Sequence, residues 1–91
     1  MGILAKMSDE RVKDVNFTEY DICVGLMDGR SITVPLSWYP RLERATKQEL
    51  EDWETCAGGY GIHWERIDED LSVEGLLLGV PAPRGQVVVT K

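Results

Sequence analysis

Apolar and polar positions alternate through the first third of the chain and then change period. Residues 11–17, RVKDVNF, predict a first strand, with Val15 and Phe17 on one face and Val12 on the other. TEYD then turns the chain. Residues 21–27, DICVGLM, alternate cleanly and place Ile22, Val24 and Leu26 on one face. Residues 30–35, RSITVP, follow with Ile32 and Val34 together, and Asp28-Gly29 between the two runs is a hairpin signal.

The register of that hairpin follows from the apolar rows. A two-residue Asp28-Gly29 loop pairs Leu26 with Ser31 and sends the two rows to opposite faces. A three-residue loop, Met27-Asp28-Gly29, pairs Val24 with Ile32 and Ile22 with Val34, so all five apolar side chains share one face. The side-chain period is two, so a slip of one residue decides the whole core. The three-residue loop is therefore expected, with Gly29 left-handed.

Pro35 ends the alternation. SWYPRLERA predicts a short helix with Ser37 as its N-cap and Pro40 in its first turn. TKQE is a capping box, Thr46 as cap and Glu49 three residues on, and opens a helix over 47–57. Its apolar stripe is Leu50, Trp53 and Ala57, and Gly58-Gly59 ends it. YGIHW predicts a short strand. Ser72 caps a last helix over 73–78, with Leu76 and Leu77 facing inward and Gly79 closing it.

The expected architecture is α+β: a three-stranded antiparallel meander followed by helices, a short fourth strand and a last short helix. Residues 1–9 are expected to be a flexible N-terminus, residues 10–80 a single domain, and residues 81–91 a C-terminal tail. A mobile tail is the expectation for PAPRGQVVVTK, and strand addition at a sheet edge is the sharper alternative.

Composition narrows the function. The 91 residues hold 10 Lys and Arg against 16 Asp and Glu, a net charge of -6. Such a field repels phosphate backbones, so direct nucleic-acid binding is disfavoured and a basic protein partner is favoured. The N-terminal MGILAKMSDE is too short and too interrupted for a signal peptide or membrane span, and Lys6 stands where myristoylation needs Ser or Thr. Cys23 and Cys56 belong to no CxxC pair and are expected to be reduced thiols in a cytoplasmic protein.

Candidate chemistry gathers in GIHWERIDEDLSVEGLL, residues 61–77, which holds the chain's one histidine. In a strand, His63 and Glu65 share a face opposite Trp64 and Arg66. His63 and Glu65 are weak candidates for a metal site, since no second His or nearby Cys completes a ligand set. The alternative is a structural His63, half-buried at a sheet edge and hydrogen-bonded to backbone. The acids Asp68, Glu69 and Asp70 precede Ser72 and fit a helix entry, where carboxylates complement the helix dipole. No catalytic residue emerges. Ser37 and Ser72 lie in no nucleophile motif, nothing lowers either thiol's pKa in so acidic a chain, and AGGYG matches no phosphate loop. No cofactor is implied.

Between Trp38 and Trp64 the chain concentrates Trp38, Tyr39, Trp53, Tyr60 and Trp64 with Arg41 and Arg44. Tryptophan and arginine anchor interfaces, and tryptophan also builds small cores. Trp53 is assigned to the core. Trp38, Arg41 and Trp64 are the candidate partner-binding set, with core packing for the two tryptophans and a structural salt bridge for Arg41 as the alternatives. Gly29, Thr46, Glu49 and Ser72 are structural.

DGRSITVPLSWYPRLERAT, then DWE, then GIHWERIDEDLSVEGLL follow the order of motifs in the bacterial family known as domain of unknown function 2442, which this chain resembles over residues 10–79. The resemblance implies a β-rich α+β domain. Some relatives carry it ahead of a helix-turn-helix domain, for which the residues after Gly79 are too few. Others stand alone, often beside the gene of another small protein, in an arrangement like a toxin–antitoxin pair. The resemblance supplies no catalytic residues. The function expected is a non-enzymatic protein-interaction module, antitoxin-like or regulatory. Its expected partner is a basic protein encoded by an adjacent gene, with a homodimer as the competing use. A metal-binding or small-ligand protein, or an enzyme using His63 and nearby carboxylates, is the alternative.

Overall fold

The computed structural model describes residues 8–79. Its first sheet is an antiparallel meander of β1 (Val12–Phe17), β2 (Asp21–Leu26) and β3 (Ser31–Pro35), in that spatial order. The hairpin between β2 and β3 has the expected register. Ile22 pairs with Val34 and Val24 with Ile32, and the Leu26 N–H donates to the Arg30 carbonyl at 2.8 Å. Gly29 sits at φ +98°, the left-handed region that the three-residue loop demands. Asp28 locks the loop. Its carboxylate accepts from the Asp9 N–H (2.9 Å), the Arg30 N–H (3.1 Å) and the Arg30 guanidinium (2.7 Å). The Arg30 guanidinium, foremost, holds the Asp28 carboxyl well below its usual range.

β1 departs from simple alternation. Its register against β2 slips by one residue between Val12 and Asp14. This bulge rotates the strand, so Val12 points inward with Val15 instead of to the opposite face. An unforeseen insertion of one residue thus gives the core an additional side chain.

The second half differs more from expectation. Leu36–Trp38 is a 3-10 turn that starts at Pro35 without a side-chain cap, so Ser37 is not an N-cap. α1 is the single turn Pro40–Glu43, with Pro40 at its first position. The capping box is present: the Glu49 N–H donates to Thr46 Oγ1 and the Thr46 N–H to Glu49 Oε1. Yet α2 (Lys47–Glu51) stops after five residues, not at 57. Five residues cannot support a helix alone, and the chain turns extended at once. Trp53–Cys56 is β4, a strand where the helix was expected to continue. Ala57, Gly58 and Gly59 all take positive φ and reverse the chain into β5 (Gly61–Trp64), so the glycines turn a strand and do not end a helix.

The acidic run is likewise not a helix entry. Glu69–Ser72 is β6, paired antiparallel with β5. β4, β5 and β6 form a second three-stranded sheet, in which the expected isolated fourth strand is the middle member. α3 (Val73–Leu78) is as expected at both ends. The Gly75 N–H donates to Ser72 Oγ at 2.9 Å, and Gly79 at φ +79° closes the helix. Leu76 faces inward, but Leu77, on the last turn, is 47% exposed.

One apolar cluster joins the two sheets. Ile22, Val24, Leu26 and Val34 from the first pack with Ile62, Trp64 and Leu71 from the second, and Leu36, Tyr39, Leu42, Val73 and Leu76 fill between them. Trp64 anchors it: its ring meets Phe17 edge-on at 6.5 Å and its indole N–H donates to the Leu50 carbonyl at 3.0 Å. Residues 1–7 and 80–91, on which the flexible N-terminus, the myristoylation argument and the tail largely fall, lie outside the described residues. Asp9, a described residue within the expected N-terminal segment 1–9, pairs with Arg11 at 2.7 Å and donates its N–H to Asp28.

Candidate functional site

Strand pairing alone builds a polar cluster around His63. His63 lies in β5, the middle strand of the second sheet, opposite Glu54 of β4 and Asp70 of β6. Directly opposed residues share a face, so two carboxylates flank the ring from either side, and Glu65 joins two residues along. The ring's Nδ1 lies 2.5 Å from Asp70 Oδ1 and its Nε2 2.8 Å from Glu65 Oε1. A carboxylate only accepts, so both ring nitrogens donate and the ring is an imidazolium. The bonds to Glu65 and Asp70 accordingly raise its pKa to about 9. His63 is therefore not at a sheet edge and its partners are carboxylates, not backbone. Ligand atoms of Glu54, His63 and Glu65 lie within 4.8 Å of one another, a spacing a metal ion could draw together.

Cys56 lies on the same outer face, where a side chain added at Gly61 would come within 2.9 Å of its Sγ. Burial pushes the Cys56 thiol's pKa up, and the charges of Asp70 and Glu54 push it the same way. This opposes the thiolate that a cysteine–histidine dyad needs.

The three residues expected to bind a partner are not brought together as one exposed patch. Trp64 has 0% exposure and belongs to the core, so it offers nothing to a partner. Arg41 reaches across to the turn between β5 and β6, donating to the carbonyls of Ile67 (3.2 Å) and Asp68 (2.8 Å). Asp68 sits there at φ +53°, and Arg41 also stands 3.6 Å from its carboxylate. The guanidinium thus clamps a left-handed turn, the structural alternative for this residue. Trp38, like Arg41, stays partly exposed, and it packs edge-on against Tyr39 at 6.4 Å.

The family model described as Protein of unknown function (DUF2442) matches residues 3–82. The chain belongs to this family. A family-scale likeness also appears among solved structures. A protein of unknown function from Rhodospirillum rubrum is 30% identical, with a TM-score of 0.70, over 82% of this chain and 93% of its own. An uncharacterized protein of Chromobacterium violaceum, solved by NMR, has a TM-score of 0.72 over 97% of this chain and 85% of its own; at 21% identity it speaks for the fold alone. No curated protein matches the chain. These likenesses carry no activity to it.

Membership of the family gives no site, so the site is read from geometry. The sequence singled out His63 and Glu65 but missed Glu54 and assigned Asp70 to a helix entry. Alternation was the available signal for Asp70: Glu69, Leu71 and Val73 point inward while Asp70 and Ser72 point out. The signal was hidden because the first inward residue is a carboxylic acid. Glu69 is 1% exposed and lies on the core side, where its charge, after burial, adds to the upward shift of the Tyr39 pKa. No helix among the described residues is long and apolar enough to cross a membrane.

Proposed function

We propose that this chain is a non-enzymatic protein-interaction module, antitoxin-like or regulatory, that docks a basic protein partner on the outer face of the second sheet. The observation that carries the reading is the gathering of Glu54, Glu65 and Asp70 around one imidazolium on a solvent-facing strand surface. Three carboxylates against one cation leave the face negative, in keeping with the net charge of -6. Such a face speeds encounter with a cationic surface and loses that advantage in salt. The partner is expected to be encoded by an adjacent gene in the cytoplasm, and self-association is the competing use of the surface. Co-expression with neighbouring gene products, followed by binding measured against ionic strength, tests it. Glu54→Lys with Glu65→Lys should weaken binding about tenfold or more. Binding that ignores both salt and the reversal overturns the reading.

A second reading is a divalent-metal site at Glu54, His63 and Glu65, favoured by their mutual spacing. A metal must displace a proton from His63, so uptake should strengthen as pH rises. Calorimetry with zinc at pH 7 and pH 9 checks this. Absence of stoichiometric binding at both values removes the reading.

A further inference from the structure

A groove of about 570 Å³ runs between β1 and α2. Its two walls differ in kind. One wall is residues 15–19, five in succession. Val15, Asn16 and Phe17 are the last residues of β1, and Thr18 and Glu19 open the turn to β2, where the Thr18 N–H donates to the Asp21 carbonyl. Side chains of a strand alternate between faces, so the three successive strand residues line one groove along the strand's edge. β1 is the end member of its sheet and pairs only with β2 among the described residues. Its other edge therefore presents backbone donors and acceptors to the groove without a strand neighbour among those residues.

The facing wall is Lys47, Leu50 and Glu51, spaced as one helical face, with Trp53 just beyond. Phe17, Leu50 and Trp53 pack against the core while remaining partly exposed, so the groove has an apolar lining. An open strand edge facing a helix across apolar side chains is how several domains hold extended peptides: the backbone gives affinity and alternate side chains give selectivity. We infer that this groove takes an extended segment of a partner protein, carrying alternate apolar side chains and a lysine or arginine, as an added strand on β1.

The strand portion of this wall, Val15 to Phe17, spans about 7 Å, so about three peptide residues can pair along it. Glu19 and Glu51 outnumber Lys47 at the rim, and the chain as a whole is acidic, so the segment should be cationic. The groove shares no lining residue with the carboxylate cluster around His63. It therefore stands or falls separately from the docking face proposed above.

The test uses the full chain labelled with nitrogen-15 and a blocked hexapeptide of alternating valine and lysine. Saturable shifts confined to residues 15–19 and 47–53 are expected at submillimolar peptide. Replacing the peptide's lysines by glutamate, or N-methylating its alternate amides, should each weaken binding at least about tenfold. The exposed pair Glu19→Lys with Glu51→Lys should weaken it about tenfold in a protein whose spectrum keeps its dispersion. Glu54→Lys with Glu65→Lys should leave it unchanged. The inference is overturned by absence of saturable shifts, by shifts centred on residues 54, 63 and 70, or by equal binding of the N-methylated peptide. Shifts in β1 that follow protein concentration without peptide also overturn it, because the occupant is then a second copy.

Discussion

Replacing Trp64 by phenylalanine separates a core tryptophan from an interface one. Trp64 has no exposure, and its indole N–H donates to the Leu50 carbonyl at 3.0 Å. Phenylalanine removes that donor. Stranding the acceptor costs about 1–2 kcal/mol, the lower part of the usual range because Leu50 is only half-buried. The smaller ring leaves about 40 Å³ unfilled, which at about 24 cal/mol per Å³ adds about 1 kcal/mol. The total is about 2–3 kcal/mol. With a urea slope of about 1.5 kcal/mol/M for a chain of this size, the midpoint should fall by about 1.3–2 M. A domain with about 5–10 kcal/mol of stability still folds under that loss, so the variant can be assayed. Urea titration followed by circular dichroism reads the change, with Trp38→Phe as the partly exposed control. If Trp64→Phe unfolds within about 0.3 M of wild type, the tryptophan is not the anchor described here.

Gly29→Val should destabilise by about 1 kcal/mol or more, because φ is +98° there and open space around the position leaves backbone strain as the sole cause; an unchanged denaturant midpoint contradicts the loop geometry. Gly61→Ala should cost about 1–3 kcal/mol, since its Cβ meets Cys56 Sγ at 2.9 Å and the Leu71 carbonyl at 3.3 Å, and Cys56→Ala should recover part of that loss in a double-mutant cycle. His63 has its folded pKa raised from 6.5 to about 9. Its contribution is complete below 6.5 and disappears as pH rises through about 9. Stability should therefore decline across that window in wild type and not in His63→Gln, and a ring titration by NMR near 6.5 would refute the ion-paired geometry.

The first sheet was legible because its strands obey one rule at a time. Ile22, Val24 and Leu26 alternate without interruption, and Gly29 fixes the only loop that aligns them with Ile32 and Val34. The bulge at β1 was not legible, because an extra residue leaves no local mark when both Val12 and Val15 are apolar. Two competing local signals misplaced the second sheet. Thr46 and Glu49 start a helix, and Leu50, Trp53 and Ala57 continue its spacing. Trp53 and Thr55 fit a strand just as well, and pairing with Trp64 and Ile62 decides the outcome. That pairing is made with residues the local pattern does not include. Likewise Asp68, Glu69 and Asp70 look alike in sequence, but one turns the chain, one faces the core and one binds His63. The site was half visible for the same reason: His63 and Glu65 are sequence neighbours, whereas Glu54 and Asp70 reach the ring only through strand register.

The two readings of the outer face differ in what happens to one proton. At pH 7.5 the ring is an imidazolium, with Nδ1 bound to Asp70 and Nε2 to Glu65. A metal that takes a ring nitrogen must expel its proton, because a coordinating lone pair and an N–H bond cannot share the atom. A basic partner does not compete for that atom. It brings positive charge near the ring, which lowers the ring's pKa from about 9 but leaves it mostly protonated at pH 7.5. Calorimetry in two buffers of different ionisation heat counts the protons released. Zinc binding at this site should release close to one proton, and His63→Gln should abolish that release. Partner binding should release well under one and fall with salt, and His63→Gln should leave it as strong or slightly stronger, because the variant removes a cation from an acidic face. If partner association expels a full proton and ignores salt, docking through this face is wrong and the imidazole itself is the group being recognised.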